Sequence, residues 1–209
     1  MNYTINRLEV INFISKHKRI LIPSFVIISY LFFYFFIDYS TQSLVAHDEG
    51  LYARRSRLVE ESYNWFNSPF DNPHHKTLGS YWLIALSIRL FGNSELSLRL
   101  PSILCAFICL LIIYKITVII LNKKSALLAV FSLSSMPLWI QYSRYASPDL
   151  PFVLCIMLVI YFFLKYINSS PYSNNYIYIF SSGLFISISF FVRSYMAFVP
   201  LLGLIPFFI

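Results

Sequence analysis

Apolar runs long enough to cross a bilayer alternate along this chain with short polar segments, and that alternation predicts the fold. Residues 1–19 are polar and basic, and residues 20–37 form an unbroken apolar run, which as a helix spans the ~30 Å hydrocarbon layer. The run is too long and too aromatic for a cleaved leader, and no small-residue cleavage site follows it, so it is read as a first transmembrane helix that stays in place. From Asp38 to about Pro73 the chain is polar. Residues 49–66 predict a short amphipathic helix with Leu51, Tyr52, Leu58, Val59 and Tyr63 on its apolar face. Residues 78–91 are apolar but short for a span and contain Arg89, which predicts an interfacial or re-entrant helix. Gly92-Asn93-Ser94 breaks it, and Pro101 is expected in the first turn of the next helix.

Further spans are predicted over residues 101–121, 125–141, 150–166 and 177–192, with Pro137 kinking the second of these near its end. Arg193-Ser194-Tyr195 interrupts the pattern, and a last apolar run begins at Met196 and is still apolar at Ile209. The expected organisation is a cytoplasmic basic N-terminus (1–19), a first transmembrane helix (20–37), a periplasmic, catalytic loop carrying amphipathic or interfacial helices (38–100), and transmembrane helices two to six (101–209). The last of these is truncated, so the chain is expected to be an N-terminal fragment. The fold class is therefore an all-α integral membrane protein: a multi-spanning helical bundle with interfacial helices in its first outer loop.

Composition agrees. The chain is 58% hydrophobic and only 12% charged, about half the charged share of a soluble domain. Cys105, Cys109 and Cys155 all lie in apolar runs without CxxC or Cys/His spacing, so they read as packing residues. A net charge of +7 raises the question of a nucleic-acid partner, but topology accounts for it. With the N-terminus inside, the inner segments hold Arg7, Lys16, Lys18, Arg19, Lys115, Lys123, Lys124 and Lys165 against Glu9 alone. The outer segments balance eight Lys and Arg with eight acids. The excess is the positive-inside bias of a membrane protein, and no nucleic-acid partner is implied.

The same topology collects the unusual residues at the outer face: His47-Asp48-Glu49, His74-His75-Lys76, Arg99, the Arg144–Asp149 segment and Arg193. Cations and carboxylates converging on a lipid–water boundary suit a lipid-linked phosphate, whose oxygens need cations, and an acceptor group that needs a base. His74 and His75, with His47 or Asp48, are candidate ligands for a divalent metal. No other cofactor is implied.

Three stretches carry a family resemblance: Asp48-Glu49-Gly-Leu-Tyr52-Ala, Lys76-Thr-Leu-Gly79-Ser-Tyr81-Trp82-Leu, and Arg99-Leu-Pro101-Ser102. Their order resembles that of bacterial polytopic C-type glycosyltransferases, a group that includes the aminoarabinose transferases acting on lipid A and the relatives of dolichyl-phosphate-mannose–protein mannosyltransferases. Arg144-Tyr-Ala-Ser-Pro-Asp149 resembles the outer end of a later helix in that group. Gly183…Phe191-Val-Arg193 before Pro200 resembles its Gly…Leu-Thr-Lys-Gly…Pro segment. The resemblance implies inverting transfer of a sugar from a polyprenyl-phosphate donor to an acceptor lipid A, glycan or protein, at the periplasmic face of a bacterial inner membrane.

By the same resemblance Asp48 is the candidate base, with Glu49 second to it, and Asp149 is the further active-site carboxylate. Lys76 matches the lysine that holds the carrier phosphate, and Arg193 takes the place of the family's lysine. Arg54, Tyr52 and Tyr81, carried by the same motifs, are candidate contacts to phosphate or substrate. One departure stands out: His75-Lys76-Thr77-Leu78 replaces the family's Glu-Lys-Pro-Pro, which removes an acid from any metal site there. The alternative class is a non-catalytic or transporter-like multi-spanning protein. Charges confined to one face, and spans without paired Gly/Pro breaks, argue against a transport path.

Overall fold

In a computed structural model the described residues are 44, 48–66, 77–169, 175–198 and 202, all within the unit Ser40–Ile209. The basic N-terminus and the first transmembrane helix predicted over 20–37 lie outside them. Among the described residues there are seven α-helices: α1 (Asp48–Ser62), α2 (Gly79–Phe91), α3 (Glu95–Ile120), α4 (Lys123–Ser135), α5 (Pro137–Ser143), α6 (Asp149–Ile167) and α7 (Tyr176–Arg193), the last running into a 3₁₀ turn, Ser194–Phe198. No strand occurs among the described residues. The protein is an all-α integral membrane protein. The helices Glu95–Ile120, Asp149–Ile167 and Tyr176–Phe198 are long and apolar enough to cross a bilayer. At most a third of each such window is buried inside the protein, so lipid must cover the remainder.

The predicted span at 125–141 is two helices, bent by 68° where α4 meets α5. Pro137 opens α5, and Met136 before it is extended, with φ −68° and ψ 126°. That is the conformation a following proline imposes.

Pro101 departs from expectation. It lies inside α3, which begins six residues earlier at Glu95. Ser94 and Ser97 form a capping box there, each side chain accepting the other's backbone N–H. Capping fixed the start of the helix, and the proline was carried into it. Pro101 has no N–H to offer the Ser97 carbonyl four residues back, and Ser87 Oγ donates to that carbonyl instead, at 2.6 Å.

The interfacial helices α1 and α2 pack on each other and on the start of α3. Their core is Tyr52, Ala53, Val59, Tyr81, Ile84, Ala85, Ile88, Leu98 and Ala146. The buried face of α1 is Glu49, Tyr52, Ala53, Ser56 and Val59, which corrects the face expected from sequence. Tyr63 is 68% exposed, and Leu51 and Leu58 are only half-buried. Two causes are visible. The small Ala53 and Ser56 let α1 approach α2 closely, and Glu49 is drawn inward by a buried cation. The start of the predicted sixth span, 196–198, belongs to the 3₁₀ turn, and the rest of it lies outside the described residues except Leu202.

Candidate active site

The buried cation is Arg99, in the second turn of α3. Its Nε donates to Glu49 Oε1 at 2.8 Å and one terminal nitrogen to Oε2 at 3.2 Å. This is a two-pronged pair with side-chain exposures of 4% and 1%. The Ala146 backbone N–H, from the segment between α5 and α6, donates to the same Glu49 Oε1 at 3.1 Å. One carboxylate thus ties together α1, α3 and the approach to α6. Glu95, one turn earlier on α3, adds a second carboxylate 4.0 Å from Arg99. Charge and hydrogen-bond capacity are matched on both sides, which is the condition for holding an ion pair away from water. Asp48 precedes Glu49 in the same first turn and is exposed.

A second pair forms beside this knot. Ser102 Oγ donates to the Ser147 carbonyl at 3.2 Å, and the Asp149 N–H donates to Ser147 Oγ at 3.4 Å. Asp149 opens α6 and is ion-paired with Arg193, the last residue of α7. Each charge suits its helix end, the acid at an N-terminus and the cation at a C-terminus. With side chains 40% and 26% exposed, this pair remains open to solvent, unlike Glu49–Arg99.

The entry to α2 is fastened to the same end of α7. Thr77 Oγ1 donates to the Val192 carbonyl at 2.8 Å. A Cβ added at Gly79 would stand 2.5 Å from the Phe191 ring and 2.8 Å from its carbonyl oxygen, so only glycine permits this crossing. The rings of Trp82 and Phe191 meet edge-on at 5.0 Å.

Of the residues expected from sequence, Glu49, Asp149 and Arg193 fall into these contacts, and Asp48 and Arg54 are exposed on α1. Tyr52 and Tyr81 are core residues, 6% and 0% exposed. Their rings lie 5.5 Å apart, and Arg55 donates to the Tyr81 hydroxyl at 2.9 Å. Both rings pack in the core between α1 and α2. His47, His74, His75 and Lys76 lie outside the described residues. Among the described residues no three His, Cys, Asp or Glu side chains converge as metal ligands. Sequence reading missed the roles of Arg99 as the partner of Glu49, of the Ala146 N–H, and of Gly79 as a crossing point. The motif spacing marked Arg99 and Gly79, whereas nothing local marked Ala146.

A family model described as dolichyl-phosphate-mannose-protein mannosyltransferase matches residues 75–209, well over half of the chain. The chain belongs to this family. It is 26% identical over 158 residues to an uncharacterised protein of Aquifex aeolicus, covering 73% of this chain and 30% of that one. Two crystal structures of ArnT from Cupriavidus metallidurans share the fold. The apo form matches with a TM-score of 0.74 at 18% identity, and the form bound to undecaprenyl phosphate with 0.75 at 17%. Each match covers 88% of this chain and 35% of ArnT. The chain therefore spans about a third of the length of these relatives.

Proposed function

We propose that the protein is, or is part of, a glycosyltransferase that moves a sugar from a polyprenyl-phosphate donor to an acceptor at the outer face of the bacterial inner membrane. The observation that carries this reading is the joining of separate chain segments at one end of the bundle. Glu49 joins Arg99 and the Ala146 N–H, Asp149 pairs with Arg193, and the exposed Asp48 adjoins Glu49 on α1; in this reading these groups line one site. Membership of the mannosyltransferase family supports it, as does a shared fold with a protein crystallised with undecaprenyl phosphate.

In this reading an acceptor hydroxyl attacks the anomeric carbon of the donor. Asp48 takes the hydroxyl proton, the bond from anomeric carbon to phosphate oxygen breaks, and polyprenyl phosphate leaves with the bonding electrons. Single displacement inverts the anomeric centre. Lys76 and Arg193 hold the phosphate, with Arg54 at the rim. Asp149 keeps Arg193 aimed until the donor arrives, and the exposure of that pair lets phosphate oxygens replace the carboxylate at small cost. Glu49 acts through its neighbour, by fixing the turn that presents Asp48. A divalent metal, held by His74 and His75, would add positive charge beside the donor phosphate.

The test is transfer from a panel of undecaprenyl-phosphate-linked pentoses and hexoses, assayed in membranes containing the protein. Asp48→Asn is expected to lower kcat by about 10²–10⁴ with little change in donor KM. Transfer at an undiminished rate would remove Asp48 from the base role. Absence of transfer by the unaltered protein from every donor would sink the enzyme reading.

A further inference from the structure

The cations at the other end of the bundle take no part in this chemistry. From Arg99 to Lys115 runs about 24 Å of helix, and α6 begins at Asp149 and carries Lys165 in its last turn. Across the contact between α3 and α6, both ammonium groups lie against one aromatic ring. Lys115 Nζ is 5.8 Å from the Tyr161 ring centroid and Lys165 Nζ is 6.0 Å from it. Lys123 and Lys124 stand nearby in the first turn of α4, where the helix dipole disfavours cations. The described acids are Asp48, Glu49, Glu60, Glu61, Glu95 and Asp149, on α1 or in first turns at the opposite end. Among the described residues, four lysines therefore share this end with no carboxylate.

One ring face attracts a cation, but two ammonium groups drawn to the same ring repel each other, more strongly where water is scarce. A shared anion relieves the repulsion. The surface on the membrane side is equally suggestive. Ile108 and Leu104 lie seven and eleven residues before Lys115, on its face of α3. They are 39% and 46% exposed. A positive head site thus continues into an apolar track that points toward the bilayer centre.

We propose that Lys115, Tyr161 and Lys165 form a binding site for the phosphate of an anionic phospholipid, whose acyl chain lies along Ile108 and Leu104. The phosphate oxygens accept from both ammonium groups and from the Tyr161 hydroxyl. A zwitterionic lipid brings its own cation and gains less here. The site is independent of sugar transfer, and its failure would leave the proposed reaction untouched.

The protein in nanodiscs of phosphatidylglycerol and phosphatidylcholine in equal parts, released for native mass spectrometry, provides the test. Preferential retention of phosphatidylglycerol is expected. Lys115→Gln with Lys165→Gln should weaken that retention about thirtyfold, from the loss of two near-surface cations. Lys115→Arg with Lys165→Arg should keep it. Lys123→Gln with Lys124→Gln, which removes the same charge at exposed positions away from the Tyr161 ring, should cost no more than roughly threefold, because exposed charges beyond about 10 Å are largely screened. Equal losses from both glutamine pairs would reduce the effect to general surface charge and overturn the site. So would an absence of preference for phosphatidylglycerol. Thermal stabilisation reproduced in full by inorganic phosphate, without lipid, would overturn the lipid assignment.

Discussion

Glu49 and Asp48 are adjacent in sequence and opposite in physical situation. Both oxygens of Glu49 are engaged by Arg99 and one also by Ala146, in a site nearly sealed from solvent. Glu49→Gln removes the negative charge and leaves the buried Arg99 guanidinium facing only the part-exposed Glu95 carboxylate at 4.0 Å. Removing one partner of such a pair costs about 3–5 kcal/mol, and the expected outcome is a matching loss of stability in denaturant titration of the purified protein. Replacing both partners, Glu49→Leu with Arg99→Met, should recover most of that loss, because no charge is then stranded. A Glu49→Gln protein as stable as the unaltered one would show that the pair does not hold the fold. Asp48 is exposed and in the first turn of α1, so Asp48→Asn should cost no more than about 1 kcal/mol of stability while lowering kcat by about 10²–10⁴. The two substitutions together separate positioning from chemistry.

Among the elements, the contact of α2 with α7 is the most sharply determined. At Gly79 the obstruction to a side chain is partly the Phe191 ring, which can turn, and partly the Phe191 backbone oxygen, which cannot turn away. Gly79→Ala is therefore expected to push α2 off α7, strain the Thr77–Val192 hydrogen bond and lower stability by about 1–3 kcal/mol. Thermal unfolding is the measurement. Adding Phe191→Ala should give only partial recovery, since the oxygen remains; full recovery would assign the whole clash to the ring. Proline behaves in two ways within the same fold. At Pro137 the freed Leu133 carbonyl accepts from the Met136 N–H at 3.2 Å, which closes the helix one residue early, and the helix breaks, whereas at Pro101 the Ser87 hydroxyl caps the freed carbonyl and α3 continues as one span.

For the whole molecule, among the described residues the helix order sends the acids and arginines to one end and the lysines to the other, and the proposal above puts the first end outside. Glu61 is exposed on α1 and Lys124 is exposed at the start of α4. In intact spheroplasts a membrane-impermeant maleimide should label Glu61→Cys at once and Lys124→Cys only after permeabilisation. Equal labelling of both, or the reverse order, would overturn the assignment of faces. The number and bounds of the described helices were largely legible in the sequence. Apolar runs and Pro137 are local signals, and exclusion of unpaired backbone groups from lipid leaves helix as their outcome; the Ser94–Ser97 cap, which starts α3 at Glu95 and not at Pro101, was missed. The motifs at Asp48–Glu49, Arg99, Asp149 and Arg193 were legible too, as polar residues too costly to sit beside lipid without a partner or a use. Which of them pair was decided by the tertiary structure. Glu49 meets Arg99 fifty residues away and Ala146 ninety-seven away, and such distances leave no trace in helical periodicity. The same packing turned α1 about its axis, buried Tyr52 and Tyr81, and made Gly79 a contact point. Sequence determined which segments enter the membrane, because burial of apolar side chains acts on each run separately. Only the packed fold determined which charges are sealed and which stay open, because desolvation depends on what lies opposite.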